Sequence, residues 1–147
     1  MREKSAWALG KIKSDKSEKM LIRALEDKSL RVIKAAVDSL GKVGSEAAIE
    51  SLKDLLKSKI VEVKEGVIQA LGHIGSEEAV VSLIEILEDE SERARWKAVE
   101  ALGEIGCMAS LPYLRDLILS SEFHMKGLSG VIYKIQRKNK FYNDTIL

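Results

Sequence analysis

Ala70-Leu71-Gly72-His73-Ile74-Gly75 decides the fold, because it does not stand alone. Ala8-Leu9-Gly10-Lys11-Ile12, Ser39-Leu40-Gly41-Lys42-Val43-Gly44 and Ala101-Leu102-Gly103-Glu104-Ile105-Gly106 repeat it, with the leucine returning every 31 residues at 9, 40, 71 and 102. A fixed period of roughly 20 to 50 residues marks a stacked-repeat chain, in which one unit cannot bury its apolar stripes until a neighbour covers them.

Each period reads as two helices, A and B. In the second unit Val32, Ala36, Val37, Leu40 and Val43 fall at spacings of three to five and form one stripe. Gly44 follows, suited to the left-handed residue that ends a helix, and Ser45 and Glu46 supply an N-cap oxygen and a first-turn carboxylate. Ala48, Ile49, Leu52, Leu55 and Leu56 then stripe helix B. Val63–Ile74 and Ala94–Ile105 repeat helix A, while Ala79–Leu87 and Leu111–Ile118 repeat helix B. Gly10, Gly41, Gly72 and Gly103 stand inside helix A, where each costs about 1 kcal/mol relative to alanine. Four in register predict a neighbouring helix or loop so close that a Cβ would clash.

The sequence thus predicts an all-α stack of antiparallel helix pairs over 1–147 as a single domain. Its units are 1–29 (partial), 30–60, 61–91, 92–122 and a C-terminal cap with tail, 123–147. The first unit reads as a cut edge. It starts partway through helix A, has Lys13 where the others have glycine, and places Ser17 and Glu18 at core columns. At the other end Met125, Leu128, Val131, Ile132 and Ile135 predict one more A-type helix. Tyr133 stands in the glycine column there if one residue is deleted, and an irregular basic tail follows from Gln136.

Composition narrows the function classes. Hydrophobic residues at 46% and charged residues at 32% suit a folded, water-facing domain. No apolar run approaches the roughly 18 residues that span a bilayer, and no apolar segment follows Met1-Arg2-Glu3-Lys4, so no membrane partner is expected. The lone Cys107 can form no internal disulfide, and a reducing cytoplasm is the expected location. Net charge is +1 but unevenly spread: 61–91 carries one basic residue against eight acidic, and both ends are basic.

The pattern in Val63–Gly75 and Ala94–Gly106, an apolar residue, Lys64 or Arg95, then Ala-Leu-Gly-x-Ile-Gly, resembles the HEAT repeat. It is closest to the short HEAT-like type first associated with phycobilin lyases, and the likeness covers about residues 1–122. Pro112 falls where that family often carries proline, whereas Ile33 departs from its basic column. The resemblance implies a right-handed α-solenoid that binds proteins along its B helices.

No residue pattern points to catalysis or to a cofactor. His73 and His124 are 51 residues apart, and neither belongs to the His-Glu dipeptides by which some HEAT-like hydroxylases bind iron. Cys107 shares a column with Ser14, Ser45 and Ser76 and reads as a weaker N-cap. Trp96 aligns with Lys34 and Glu65 and is expected to pack on the C-terminal cap. Trp7 aligns with Asp38, Gln69 and Glu100; it either covers the incomplete edge or meets a partner. Through that edge the chain could associate with another copy.

The outer columns of helix B carry the strongest signal. Asp54, Glu85 and Asp116 form a carboxylate ladder over three consecutive units, flanked by Glu50 and Glu88, with apolar Val81, Ile84, Pro112 and Leu119 beside it. Such a strip suits a basic, amphipathic segment of another protein or peptide. The expected function is a non-enzymatic scaffold binding through Asp54, Glu85, Asp116, Glu50, Val81, Ile84, Glu88 and Trp7. A tetrapyrrole lyase-like subunit or chaperone is the alternative that the resemblance raises. A nucleic-acid binder of the HEAT-like kind ranks below both, because phosphate contacts need Lys and Arg where this face presents carboxylates.

Overall fold

The computed structural model describes residues 1–119 and 127–146, with 141–146 as backbone only. The A-type helices are α1 (Arg2–Leu9), α3 (Leu30–Val43), α5 (Val61–Ile74), α7 (Glu92–Ile105) and α9 (Leu128–Ile146). The B-type helices are α2 (Asp15–Ala24), α4 (Ile49–Leu55), α6 (Glu77–Ile86) and α8 (Leu111–Leu119). All the regular structure among the described residues is helical. Each B helix packs against the A helix that follows it, α2 and α6 also against the one before, and one apolar cluster runs through the stack from Ala6 to Ile135.

The glycine ladder sets how the units meet. A Cβ at Gly41 would lie 2.8 Å from Ala70 Cα and 2.9 Å from Ala70 Cβ. At Gly10 it would lie 2.6 Å from Ser39 Cβ, and at Gly72 3.0 Å from Ala101 Cβ. The small residue two places before each glycine is therefore what the previous unit's glycine receives, so Ala-Leu-Gly is complementary to its own next copy. Buried Ser39 also donates to the Ala6 carbonyl at 3.1 Å, which ties α3 to α1. At the last step Val131 takes the alanine position, 2.7 Å from a Cβ at Gly103, and exposed Tyr133 takes the glycine position. The one-residue deletion expected before α9 is present.

Helix ends follow the sequence with two departures. Gly44, Gly75 and Gly106 end α3, α5 and α7 with φ of 77°, 61° and 77°, a conformation that lysine adopts only with strain. Lys13 stands at this position in the first unit, and α1 stops early at Leu9, leaving Ile12 exposed. The cap column is not uniform either. Ser14 and Ser76 accept from the backbone N–H groups of Ser17 and Ala79, as expected. Ser45 makes no such bond, because its hydroxyl donates instead to Glu18 of the preceding unit, and Cys107 makes none. Both of those units enter helix B through a 3-10 turn, Glu46–Ala48 and Met108–Ser110.

The polar residues at core columns of the first unit are satisfied. Buried Ser17 donates to the carbonyls of Ser14 (2.8 Å) and Ile12, and Glu18 receives the Ser45 hydroxyl. The C-terminal expectation needs correcting: α9 continues to Ile146 where an irregular tail was expected from Gln136. No glycine or proline follows Gly130 in it, and Asn139 Nδ2 donates to the Gly106 carbonyl at 2.9 Å, fastening the helix to α7. Met125 and His124 lie outside the described residues.

The basic column at the start of helix A is a clamp inside the first and third repeats. Lys64 Nζ lies 2.9 Å from Asp89, and Arg2 lies 3.2 Å from Asp27, the equivalent aspartate just past the end of helix B. Arg95 donates to the carbonyls of Asp89 and Glu90. Partial burial works against a charge on Asp89. The Ser91 N–H at 2.9 Å and the Lys64 ammonium outweigh it, and the carboxyl is held below its ordinary value. A depressed carboxyl stabilises the fold above its unfolded pKa of about 3.9 and loses that contribution as pH falls through the lower folded value. Asp89→Asn should therefore be less stable than the parent by about 1 kcal/mol at pH 7. Urea melts at pH 7 and pH 3 check this: the difference should shrink at the acidic end, and a constant difference would refute the linkage.

Candidate functional site

Two surfaces run along the stack. On the B side, Asp54, Glu85 and Asp116 are all exposed, as are Glu50, Glu88 and Val81, while Ile84 is half-buried. Repeat register and exposure bring these seven together on one face. Asp54 is engaged by Lys57 at 2.9 Å and Glu50 by Lys53 at 3.2 Å, both within one helix turn. Among the described residues Glu85, Glu88 and Asp116 make no ion pair. Lys53 reports the field of this face. The hydrogen bond and charge of Glu50 raise its pKa, desolvation opposes them, and the charges of Glu85 and Glu78 add smaller contributions to the rise. Apolar surface lies toward the C-terminal end, where Leu119 is 80% exposed and Tyr113 and Val81 each 51%.

Trp7 stands apart from this face. It belongs to α1, on the A side, and its ring carries the Lys11 ammonium 3.9 Å from the centroid. It is 53% exposed, so it does not seal the first unit.

The A side holds a feature that column reading did not single out. Successive A helices lie against one another much more extensively than successive B helices do. An open groove with a cavity of about 890 Å³ crosses α3, α5, α7 and the start of α9 on that side. Val37, Ile68, Ala70 and Ala101 contribute to its floor, with Gly66, Gly72 and Gly103. Its rim is charged. Arg93 pairs with Glu65 across α5 and α7, Lys97 with Glu100 at 3.0 Å, and Lys134 with Glu104. The hydrogen bond and charge of Lys134 hold the Glu104 carboxyl below its ordinary value. Trp96 is half-buried at the groove, and a Cβ at Gly127 would lie 3.3 Å from its Cη2, so the expected packing of Trp96 on the C-terminal cap is present. His73 also lines the groove. Two features of the sequence could have found it, the alignment of Lys34, Glu65 and Trp96 in one column and Gly66, which stands outside the ladder.

Among the described residues no group of three His, Cys, Asp or Glu side chains is placed to hold a metal ion, and no helix is long and apolar enough to cross a membrane. The arrangement is that of a helical-repeat protein, a right-handed α-solenoid presenting two ridged faces.

The sequence pattern of the family described as HEAT repeats matches residues 1–63 and 59–124, and the chain belongs to that family. A comparison with curated protein sequences finds no match. Among solved structures the fold is similar to the complex of CpcE and CpcF of phycocyanin lyase from Nostoc sp., with 24% identity and a TM-score of 0.69 over 92% of this chain. The chain spans 59% of that protein's length. A designed armadillo repeat protein in complex with the peptide (KR)4 matches at 20% identity and a TM-score of 0.58, covering 92% of this chain and 74% of that one. An engineered protein matches at 20% identity and a TM-score of 0.57, over 94% of this chain and 72% of its own.

Proposed function

We propose that the chain is a non-catalytic scaffold of the cytoplasm that holds a basic, amphipathic segment of another protein on its B-helix face. The observation that carries this reading is the ladder itself. Asp54, Glu85 and Asp116 are exposed in three consecutive units, and Glu85 and Asp116 lack an ion-pair partner among the described residues. Glu50 and Glu88 extend the acidic strip, and Val81 and Ile84 give the apolar side of the segment a place to lie. The raised pKa of Lys53 supports a negative field there, because a cation on this face is already favoured. The repeat spacing, roughly 8–10 Å between neighbouring helices, would offer one carboxylate to about every third residue of an extended chain. The basic peptide on the structurally similar designed repeat protein is consistent in chemistry with such an occupant. Exposed Trp7, Ile12 and Met20 at the first unit offer a further contact for a second chain.

The test is capture from the native host by the immobilised protein, with the partner identified by mass spectrometry. Asp54→Lys, Glu85→Lys and Asp116→Lys together should abolish capture, and capture should weaken with salt. Unchanged capture by the triple variant rules out the ladder as the site. A lyase-like subunit or chaperone for a tetrapyrrole is the second reading, favoured by the likeness to the phycocyanin lyase complex. Absorbance after mixing with a bilin separates the two, since a scaffold alone leaves the spectrum unchanged.

A further inference from the structure

Two sets of exposed charges on the stack do not meet inside one chain. On α6, Glu85 and Glu88 make no ion pair among the described residues, and Val81 stands one turn before them, 51% exposed. On α9, Arg137 and Lys140 are exposed and likewise make none, and Tyr133 stands one turn before them, 64% exposed. Helix α9 turns Leu128, Ile132 and Ile135 into the core against α7 and α8, which leaves this second stripe on its outer side. Tyr133 fills the column in which glycines admit the following unit, so its ring bars a further repeat from covering the stripe. The cations of α9 that are engaged, Lys134 and Lys138, reach the side chain and carbonyl of Glu104 on α7.

The two stripes share one spacing. Val81, Glu85 and Glu88 fall at i, i+4 and i+7, and so do Tyr133, Arg137 and Lys140. Residues so spaced lie along one side of a helix, with steps of about 6 and 4.5 Å along its axis. Set parallel and side by side, α6 of one molecule and α9 of another bring Tyr133 to Val81, Arg137 to Glu85 and Lys140 to Glu88. Each cation meets a carboxylate and the ring meets an apolar side chain.

No other B helix offers this match. At the equivalent positions α4 has Glu50, Asp54 and Lys57, which sets a lysine against Lys140, and Asp54 is already engaged by Lys57. Helix α8 has Pro112, Asp116 and Leu119, one carboxylate for two cations, and α2 has Lys19, Arg23 and Glu26. The wider field agrees. Residues 61–91 carry eight acidic residues against one basic, while α9 carries four basic against one acidic, so the two surfaces attract at long range.

We propose that α9 of one copy docks parallel to α6 of another, so that the chain self-associates through its own basic helix. This inference rests on the reading of the B face as a seat for a basic, amphipathic segment, and it names that segment. The contact joins two different surfaces, so it does not stop at a two-fold pair and permits growth beyond a dimer.

The test is the mass of the full chain by light scattering across a concentration series. At low salt the mass should rise with concentration. In about 1 M salt, where the Debye length is about 3 Å, it should stay near that of a monomer. Arg137→Glu with Lys140→Glu should weaken association about tenfold or more, and Glu85→Lys with Glu88→Lys should do the same, both with parental helicity. An equimolar mixture of these two variants should associate again, as should one chain carrying all four changes, because each restores opposite charges across the contact. Asp54→Lys, in the ladder but outside this register, should leave association unchanged. The proposal is overturned by a mass independent of concentration, by association that survives either reversal, or by a mixture that stays monomeric. Equal loss in Asp54→Lys overturns it too, since the register would then not matter. Failure of the B-face reading has a different signature. A chain of constant mass whose capture of a host partner is abolished by the triple reversal overturns self-association alone.

Discussion

Gly41→Ala is expected to lower stability by about 2 kcal/mol, although alanine is the best helix former and glycine nearly the worst. The added methyl would lie 2.8 Å from Ala70 Cα, which is backbone and cannot turn aside. To admit it, α3 and α5 must separate along their shared length, and the apolar contacts on both sides of the ladder loosen together. The same substitution at other glycines gives a graded control. At Gly72 the nearest atom is the Ala101 methyl at 3.0 Å, so a small shift nearly balances the gain in helix propensity. At Gly66 the only neighbour is a Val37 methyl at 3.7 Å, and Gly66→Ala should raise stability by up to about 1 kcal/mol. The expected order of Tm is Gly66→Ala above parent, Gly72→Ala near it and Gly41→Ala well below. Thermal melts followed by circular dichroism read this directly. If all three variants rise together, helix propensity governs these positions and the ladder has no packing role.

Leu71→Ala should cost about 3 kcal/mol, the middle of the range for a fully buried leucine. Leu71 is 0% exposed in α5, and that helix packs on α3, α4, α6 and α7, so the truncation leaves a cavity in the middle of the core. At this chain length the loss corresponds to a Tm drop of about 10 °C. Ile12→Ala makes the contrast: Ile12 is 57% exposed at the first unit, and its truncation should stay within about 0.5 kcal/mol. A stack is coupled by nearest-neighbour interfaces, so a lesion in the central unit weakens two of them at once. Calorimetry would show a single lowered transition for Leu71→Ala. A drop no larger than that of Ile12→Ala would mean that the central unit is not coupled to its neighbours in this way.

Much of the architecture was legible because repetition converts sequence position into spatial position. The 31-residue period assigned α3 through α8 to A and B classes, and the glycines marked where units touch. The Ala-Leu-Gly triplet even contained both halves of the contact, Gly41 and its receiver Ala70, although the pairing emerges only when the units are stacked. Local exceptions were harder to read. Ser45 matches Ser14 and Ser76 in column, yet its hydroxyl turns to donate to Glu18, a core-column carboxylate of the preceding unit, and accepts no backbone N–H of its own turn. Lys138 and Asn139 read as a loose tail, but backbone carbonyls at the end of α7 accept from both and prolong α9.

For the functional surfaces the division is sharper. The sequence by itself determined the repeat, the helix classes, the small-residue ladder and the order of charges down each column, since each depends on identity and spacing along one chain. Only the tertiary structure decided how the two sides of the stack differ. Gly10, Gly41, Gly72 and Gly103 let the A helices meet without intervening side chains, while no such device draws the B helices together. That asymmetry gathers Glu65, Trp96 and Glu100 around a groove floored by Gly66. A column alignment ranks these positions only as polar or solvated, because the distance between neighbouring helices is set by the packing of whole units and is not a property of any single column.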